Sequence, residues 1–442
     1  MSERKILVGL YGLNGECFNS IAINSKGEYI CVGDTRFHNV SGNNVVIMKL
    51  NTKLNLIKKQ RFTGDSSDFF QTVVIDKHDD IFVVGHTTKP DEKTIAIIAK
   101  FDSELNLIKI KRYGSDYGCG YFNGICIDQD NNLIAVGDTT TGHGDDNAII
   151  VKFDTDLRLI RSKLFGGKGN ETFVAVTYDS SGNLICVGST RASRKGSGYH
   201  RALIVKFDRW LEYIDHKTYR STGGEQLNDV AVRNNDIYCI GTTASRHGNV
   251  SGLIMRITPE LDMVAKKKYS GNGIECFSTI ALTSDDNIVV VGDSSSNNDT
   301  MATANISSAI VVVFNKDLTV VGSKRGYGKC NNQYLGVVVE RGTDNIVCVG
   351  HTEADGNSAL IVKFKPTIPT GLFKGKLVRG ITLGDTKLKL NDIKLESISV
   401  PLSCTSTTLG TITSVPIQKV EAFVEVRRRT TTVIADNDET NL

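Results

Sequence analysis

Residues 148–190 read AIIVKFDTDLRLIRSKLFGGKGNETFVAVTYDSSGNLICVGST. Four short apolar runs fill this stretch, and turn residues separate them: Asp154–Leu157 after the first, Gly166-Gly167 after the second, and Asp179–Asn183 after the third. Each run is five to eight residues long and rich in β-branched side chains, which is the pattern of strands and not of helices. The run Val174-Ala175-Val176 is continuously apolar, as a strand buried on both faces requires.

The same unit recurs along most of the chain. A glycine preceded by Val or Ile appears at Gly33, Gly85, Gly137, Gly188, Gly241, Gly292 and Gly350, at spacings of 52, 52, 51, 53, 51 and 58. Two residues after each glycine stands Thr or Ser, from Thr35 to Thr352. Four strands in about 50 residues, repeated seven times, describe the blades of a β-propeller, in which each blade buries its faces only against its neighbours. A right-handed solenoid is the alternative, but it does not need four strands per repeat.

The ends of the array predict how the ring closes. The seventh unit stops at Phe364-Lys365-Pro366, before a fourth strand. The chain begins with Lys5-Ile6-Leu7-Val8-Gly9-Leu10-Tyr11-Gly12, which has the fourth-strand pattern of Leu107–Gly114. Residues 4–12 are therefore expected to complete the last blade beside 359–364, removing an open sheet edge. The fold class is all-β: a seven-bladed propeller over residues 1–365, with a small β-rich segment over 366–442.

These units resemble the bacterial β-propeller repeat abbreviated SBBP, with its VxKFD strand, its FGG turn, its DSSGN hairpin and its VGxT strand. The resemblance covers roughly residues 1–365. It implies a propeller and no catalytic motif. It also implies kinship with bacterial surface or secreted proteins and with bacteriophage structural proteins.

Composition sets further bounds. The 442 residues carry a net charge of +3 with 23% charged residues, too balanced to demand a polyanionic partner. No apolar stretch of 18 residues occurs, so no helical membrane insertion is expected. The N-terminus lacks a signal-peptide core, which points to synthesis in the cytoplasm. Of the ten cysteines, Cys31, Cys186, Cys239 and Cys348 sit two residues before a blade glycine, where Val83, Ala135 and Val290 stand in other units. They read as small core residues, and the absence of a C-x-x-C pair argues against zinc. No phosphate loop, nucleophile elbow or HExxH motif occurs, so no catalytic residue, metal or cofactor is expected.

The a–b and c–d turns are short and uniform, whereas the b–c connections vary in length and chemistry. Variable loops on a rigid scaffold are where binding is expected. Candidate partner-binding residues on that rim are Arg36, His38, Arg191, Arg194, Lys195, Tyr199, His200, Arg201, Arg246 and His247, a basic set suited to an anionic group; ordinary solvated surface charge is the alternative. Lys58, Lys59, Arg61, Lys109, Lys111, Arg112, Lys266, Lys267 and Lys268 fall on the fourth strand, where lysine guards a free edge. No aromatic residues interleave with them, so nucleic acid is not expected. The turn Asp128–Asn132 lacks the distant Glu of a calcium loop and reads as a hairpin. Asp34, His86, Asp138, Asp293 and His351, each just after a blade glycine, are read as strand-end caps, too far apart for shared chemistry.

After Pro366 the repeat breaks. Alternating patterns at Leu388–Val400, Val420–Val426 and Thr430–Ile434 predict strands of an anchoring or assembly segment that docks on the propeller or on another subunit. The functional expectation is a non-enzymatic binding protein: a bacteriophage tail or tail-like virion component. Its loop face would meet a host surface protein or glycan, and its C-terminal segment would meet other virion subunits. The alternatives are a cytoplasmic interaction scaffold and a propeller enzyme acting on polysaccharide.

Overall fold

A computed structural model of the chain describes residues 6–365 apart from 12–14, 37–42, 64–66, 89–93, 115–119, 141–145, 168, 192–198, 221–222, 246, 297–305, 329 and 354–357. Beyond 365 it describes eight short strands between 375 and 433, as backbone.

Seven antiparallel blades each run in the order a-b-c-d from the axis outward. Blade 4 is typical: Glu171–Tyr178, Leu184–Thr190, Arg201–Phe207 and Tyr213–Arg220. Blade 7 takes its a, b and c strands from Asn332–Val339, Ile346–Thr352 and Ser358–Phe364, and its d strand from Ile6–Tyr11. The register runs from Leu7 opposite Lys363 to Tyr11 opposite Ala359, the closure that the sequence pattern predicts.

The core lies between blades. Phe165 and Ile150 of blade 3 pack with Phe173, Cys186 and Phe207 of blade 4 in one cluster, and six similar clusters complete the ring. Cys31, Cys186, Cys239 and Cys348 are fully buried in these clusters. Burial pushes the thiols of Cys31, Cys239 and Cys348 well above the ordinary value.

The blade glycines mark a close approach. Each a strand carries a bulge, and a Cβ on Gly188 would lie 2.0 Å from the carbonyl oxygen of Thr172. A Cβ on Gly33 would lie 1.9 Å from that of Cys17. No side chain fits there without moving backbone.

The KFD motif sets the c–d turn. Asp154 Oδ1 accepts the N–H groups of Asp156 and Arg158 at 2.9 and 2.8 Å, and Leu157 takes a positive φ of 58° while fully buried. Leu54, Leu105, Leu211, Leu261 and Leu318 repeat this conformation. The phenol of Tyr113 in blade 2 donates to Leu157 O of blade 3 at 3.2 Å, and Tyr219 donates to Leu261 O at 2.7 Å. Tyr11 donates to Leu54 O in the same way. The N-terminal strand thus makes the inter-blade bond of a true d strand.

The described C-terminal strands belong to the sheets of the blades. Ile381–Gly384 pairs with the d strand of blade 6, Lys389–Asp392 with blade 5 and Glu396–Ser397 with blade 4. Ser403–Ser406 pairs with blade 3, Gly410–Thr411 with blade 2 and Gln418–Val420 with blade 1. Thr430–Val433 pairs with Ile6–Tyr11 in blade 7. The segment circles the ring, adding one antiparallel strand to each blade and a second, Gly375–Val378, to blade 6.

This corrects the reading of the d strands as free edges guarded by lysine. In blade 1, half-buried Lys59 and buried Arg61 pair with Glu16, which opens the a strand and is itself 1% exposed. Arg112, also buried, faces the charge of Asp68 at the equivalent place in blade 2. Alternate d-strand residues turn inward over the blade, which the charge count alone does not reveal.

Candidate functional site: the axial channel and its mouth

The a strands of all seven blades ring the axis and enclose a cavity of about 360 Å³. Its wall is built from the a-strand bulges: Asn19-Ser20, Gln71-Thr72, Asn123-Gly124, Val174-Ala175, Asn228-Asp229, Ser278-Thr279 and Leu335-Gly336. Blades 4 and 7 supply apolar wall, and the other five supply amides, hydroxyls and a carboxyl.

The bulges also link the blades. Asn19, Asn123 and Asn228 donate their amide N–H to Phe70 O, Phe173 O and Phe277 O of the next blade at 2.8, 3.0 and 2.7 Å. At the following position the link in blades 1, 2 and 6 is a hydroxyl. Thr72 donates to Asn123 O at 2.7 Å, Thr279 donates to Leu335 O, and Ser20 accepts from Val73 N at 3.3 Å. In blade 5 the position holds Asp229. Its Oδ2 accepts Ile280 N from blade 6 at 2.9 Å and its Oδ1 accepts Val230 N at 2.8 Å.

Asp229 is the one carboxyl among the residues lining this cavity. It is half-buried by area because it meets the narrow channel, while protein encloses it otherwise. Burial raises its pKa to about 7, against the lowering effect of its two backbone N–H partners. It is thus poised between its two protonation states near neutral pH. No motif search finds it. The signal is a carboxyl standing where the other aligned repeats carry only Ser, Thr, Gly or Ala.

The channel mouth follows a second rule. In blades 2, 3, 6 and 7 the residue after the blade glycine reaches the second a-strand residue of the next blade. Asp138 accepts from Thr172 Oγ1 at 2.8 Å, and Asp293 accepts from Gln333 Nε2 at 2.9 Å. His86 packs edge-on to Tyr121, with ring centroids 4.8 Å apart. His351 Nδ1 lies 3.8 Å from Cys17 Sγ. These residues therefore reach across to the next blade in addition to standing at the ends of their own strands. Burial raises the pKa of Asp138 and Asp293 and lowers that of His86 to about 4. Strand ends are held by the next residue on: Thr190 Oγ1 donates to buried Glu171 at 2.6 Å and Thr243 to buried Glu225 at 3.0 Å.

The rim residues are only partly gathered. Arg191 and Tyr199 are exposed, while His200 and Arg201 are half-buried, all on the b–c connection of blade 4. His200 Nδ1 lies 3.3 Å from Ser189 Oγ, and burial together with Arg191 keeps its pKa low. Burial and Arg220 lower that of Arg201. His247 is exposed on the equivalent turn of blade 5. Arg36 ends a strand opposite Asn43. His38, Arg194, Lys195 and Arg246 lie outside the described residues. Asp128 is engaged by its own hairpin, accepting Asn132 N at 2.8 Å, and by Lys152 at 2.7 Å. Among the described residues no group of His, Cys, Asp and Glu is arranged to hold a metal ion, and no helix is long and apolar enough to cross a membrane.

Seven four-stranded blades around an axial channel define a seven-bladed β-propeller. No protein-family model matches the sequence, and no curated protein does. Among solved structures, the chain is similar to a periplasmic gluconolactonase of Pseudomonas aeruginosa (10% identity, TM-score 0.44, covering 90% of this chain and 100% of that one). It is also similar to an alpha-L-arabinanase of Penicillium chrysogenum (8%, 0.46, 83% and 99%) and to the polysaccharide lyase Uly1 (9%, 0.42, 80% and 90%). Such distant likeness speaks to fold alone. The expectation of a non-enzymatic virion component has its correction in the names of these three structures, which are those of enzymes, and the likeness carries no activity to this chain. That expectation rested on the company the repeat is known to keep, whereas the structures similar to this chain include enzymes. The phage reading is withdrawn.

Proposed function

We propose that the protein is a carbohydrate-directed propeller enzyme whose axial channel takes a small polyhydroxylated ligand and in which Asp229 transfers the proton. The observation that carries this reading is an ionisable group, held near neutrality, in a wall position where three other blades use a hydroxyl. A cavity of about 360 Å³ suits a ligand of one or two sugar rings. Its amides and hydroxyls match ring hydroxyls, and the apolar strips of blades 4 and 7 match the C–H faces.

A lone carboxyl supports proton abstraction or donation, as in elimination or isomerisation. Two-carboxylate glycoside hydrolysis needs a partner at roughly 5–10 Å, and Asp229 has no second carboxyl beside it in the cavity lining. The KFD, DSSGN and VGxT motifs support our further reading that the repeats are of the SBBP type.

Incubation with a panel of neutral and acidic oligosaccharides, read by mass spectrometry, tests the proposal. Turnover that falls about 100-fold or more in Asp229→Asn supports it. Turnover indifferent to Asp229→Asn but lost in Arg191→Ala would move the site to the rim.

A further inference from the structure

Two cysteines occupy the same place in two blades and differ in what faces them. Cys17 and Cys276 are each the second residue of an a strand, in blades 1 and 6. Both are half-buried, two residues before Asn19 and Ser278 of the channel wall. In the repeat, the residue that follows the glycine of the preceding blade is Thr242 for Cys276. For Cys17 it is His351, with Nδ1 at 3.8 Å from Sγ. The contact is one of four of its kind around the ring, so the fold itself places it.

The surroundings orient the pair. Cys17 Sγ also lies 3.5 Å from Asn19 Oδ1, and Asn19 donates to Asp34 Oδ1 at 3.1 Å. Asp293, one blade before His351, interacts electrostatically with it. Gln333 and Ser307 hold that carboxylate at 2.9 and 2.6 Å. A thiol, an imidazole and a carboxylate thus follow one another across blades 1, 7 and 6.

We infer that Cys17 and His351 form a nucleophile–base pair at the rim of the axial channel, directed at the acyl carbon of an ester carried by a ligand entering it. The imidazole takes the thiol proton. The Sγ–C bond forms as the C–O bond to the alcohol breaks, and the departing oxygen takes the proton back from the imidazolium. Water then hydrolyses the thioester, releasing the acid and restoring the thiol. The inference deepens the channel reading by naming an acylated ligand.

Site-resolved alkylation of the full chain by iodoacetamide at neutral pH tests the pair, with Cys276 as comparator. Burial, Asp293 and Glu275 push the Cys276 thiol up to about 12. Cys17 is expected to label about tenfold faster than Cys276, and His351→Gln to slow Cys17 about tenfold while leaving Cys276 unchanged. Equal labelling of the two cysteines, or a Cys17 rate unmoved by His351→Gln, overturns the inference. Should that variant not fold, p-nitrophenyl acetate on the unaltered protein decides. An acetyl group trapped on Cys17 supports the pair, and acetylation elsewhere only overturns it. Asp229→Asn leaves these thiol readouts unchanged, so the two proposals fail separately.

Discussion

At Gly188 a missing side chain decides the backbone. The Thr172 carbonyl occupies the space of a Cβ, so Gly188→Ala is expected to lower stability by about 1–3 kcal/mol in urea denaturation, the cost of overpacking. The glycine period is legible in the sequence; its cause, a bulge in the facing strand, is not. The positive φ of the c–d turns is less legible still. Asp, Asn and Gly are the residues expected there, yet Leu157 and five other leucines take it, because burial against the preceding blade outweighs local preference. Asp229 becomes visible only after the repeats are aligned. Its folded pKa of about 7 lies above the ordinary 3.8. Between those values the folded chain keeps a proton that the unfolded chain has lost, so this group lowers stability as pH rises from about 4 to 7. The difference in urea midpoint between Asp229→Asn and the unaltered protein should therefore shift in favour of the variant across that window; a constant difference contradicts the raised pKa.

At the scale of elements, the first strand is a component of the last blade. Its sequence matches the other d strands, and its Tyr11 makes their inter-blade bond. Removing residues 1–12 leaves two edges open and is expected to give aggregated protein; a monodisperse product by light scattering contradicts this. Tyr11→Phe is milder, expected to cost roughly 0.5–1.5 kcal/mol for one hydrogen bond. The d strands also show where charge patterning misleads. Lysine on an outer strand reads as edge protection, but Lys59 and Arg61 turn inward to Glu16. Sequence spacing identifies the strand, and only the three-dimensional pairing reveals which face each charge takes.

For the whole molecule, the C-terminal strands convert seven four-stranded blades into sheets with an added outer strand. Their first residues step by 8, 7, 7, 7, 8 and 12 from Ile381 to Thr430. Seven extended residues span roughly 23 Å, enough to reach a neighbouring blade edge. Alternating apolar residues predict such strands, but not that they circle the propeller, because strand pairing uses backbone groups that nearly every residue carries. A chain ending at residue 365 exposes these d-strand edges beside Ile57, Ile108, Ile160 and Ile214, which are already 46% exposed or more in the full chain. It is expected to self-associate where the full chain does not, as sedimentation measures. The candidate site was less legible than the fold for a related reason. The charged rim residues are conspicuous in sequence, whereas the channel is assembled from one bulge in each of seven blades.

The measurement that bears most directly on the channel as the functional site is the pH titration of the Asp229 carboxyl by carbon-13 NMR, assigned by its loss in Asp229→Asn. The account predicts a midpoint at about 7. A midpoint near 4, the ordinary carboxyl value, would leave Asp229 a permanently charged inter-blade link and contradict its role in proton transfer.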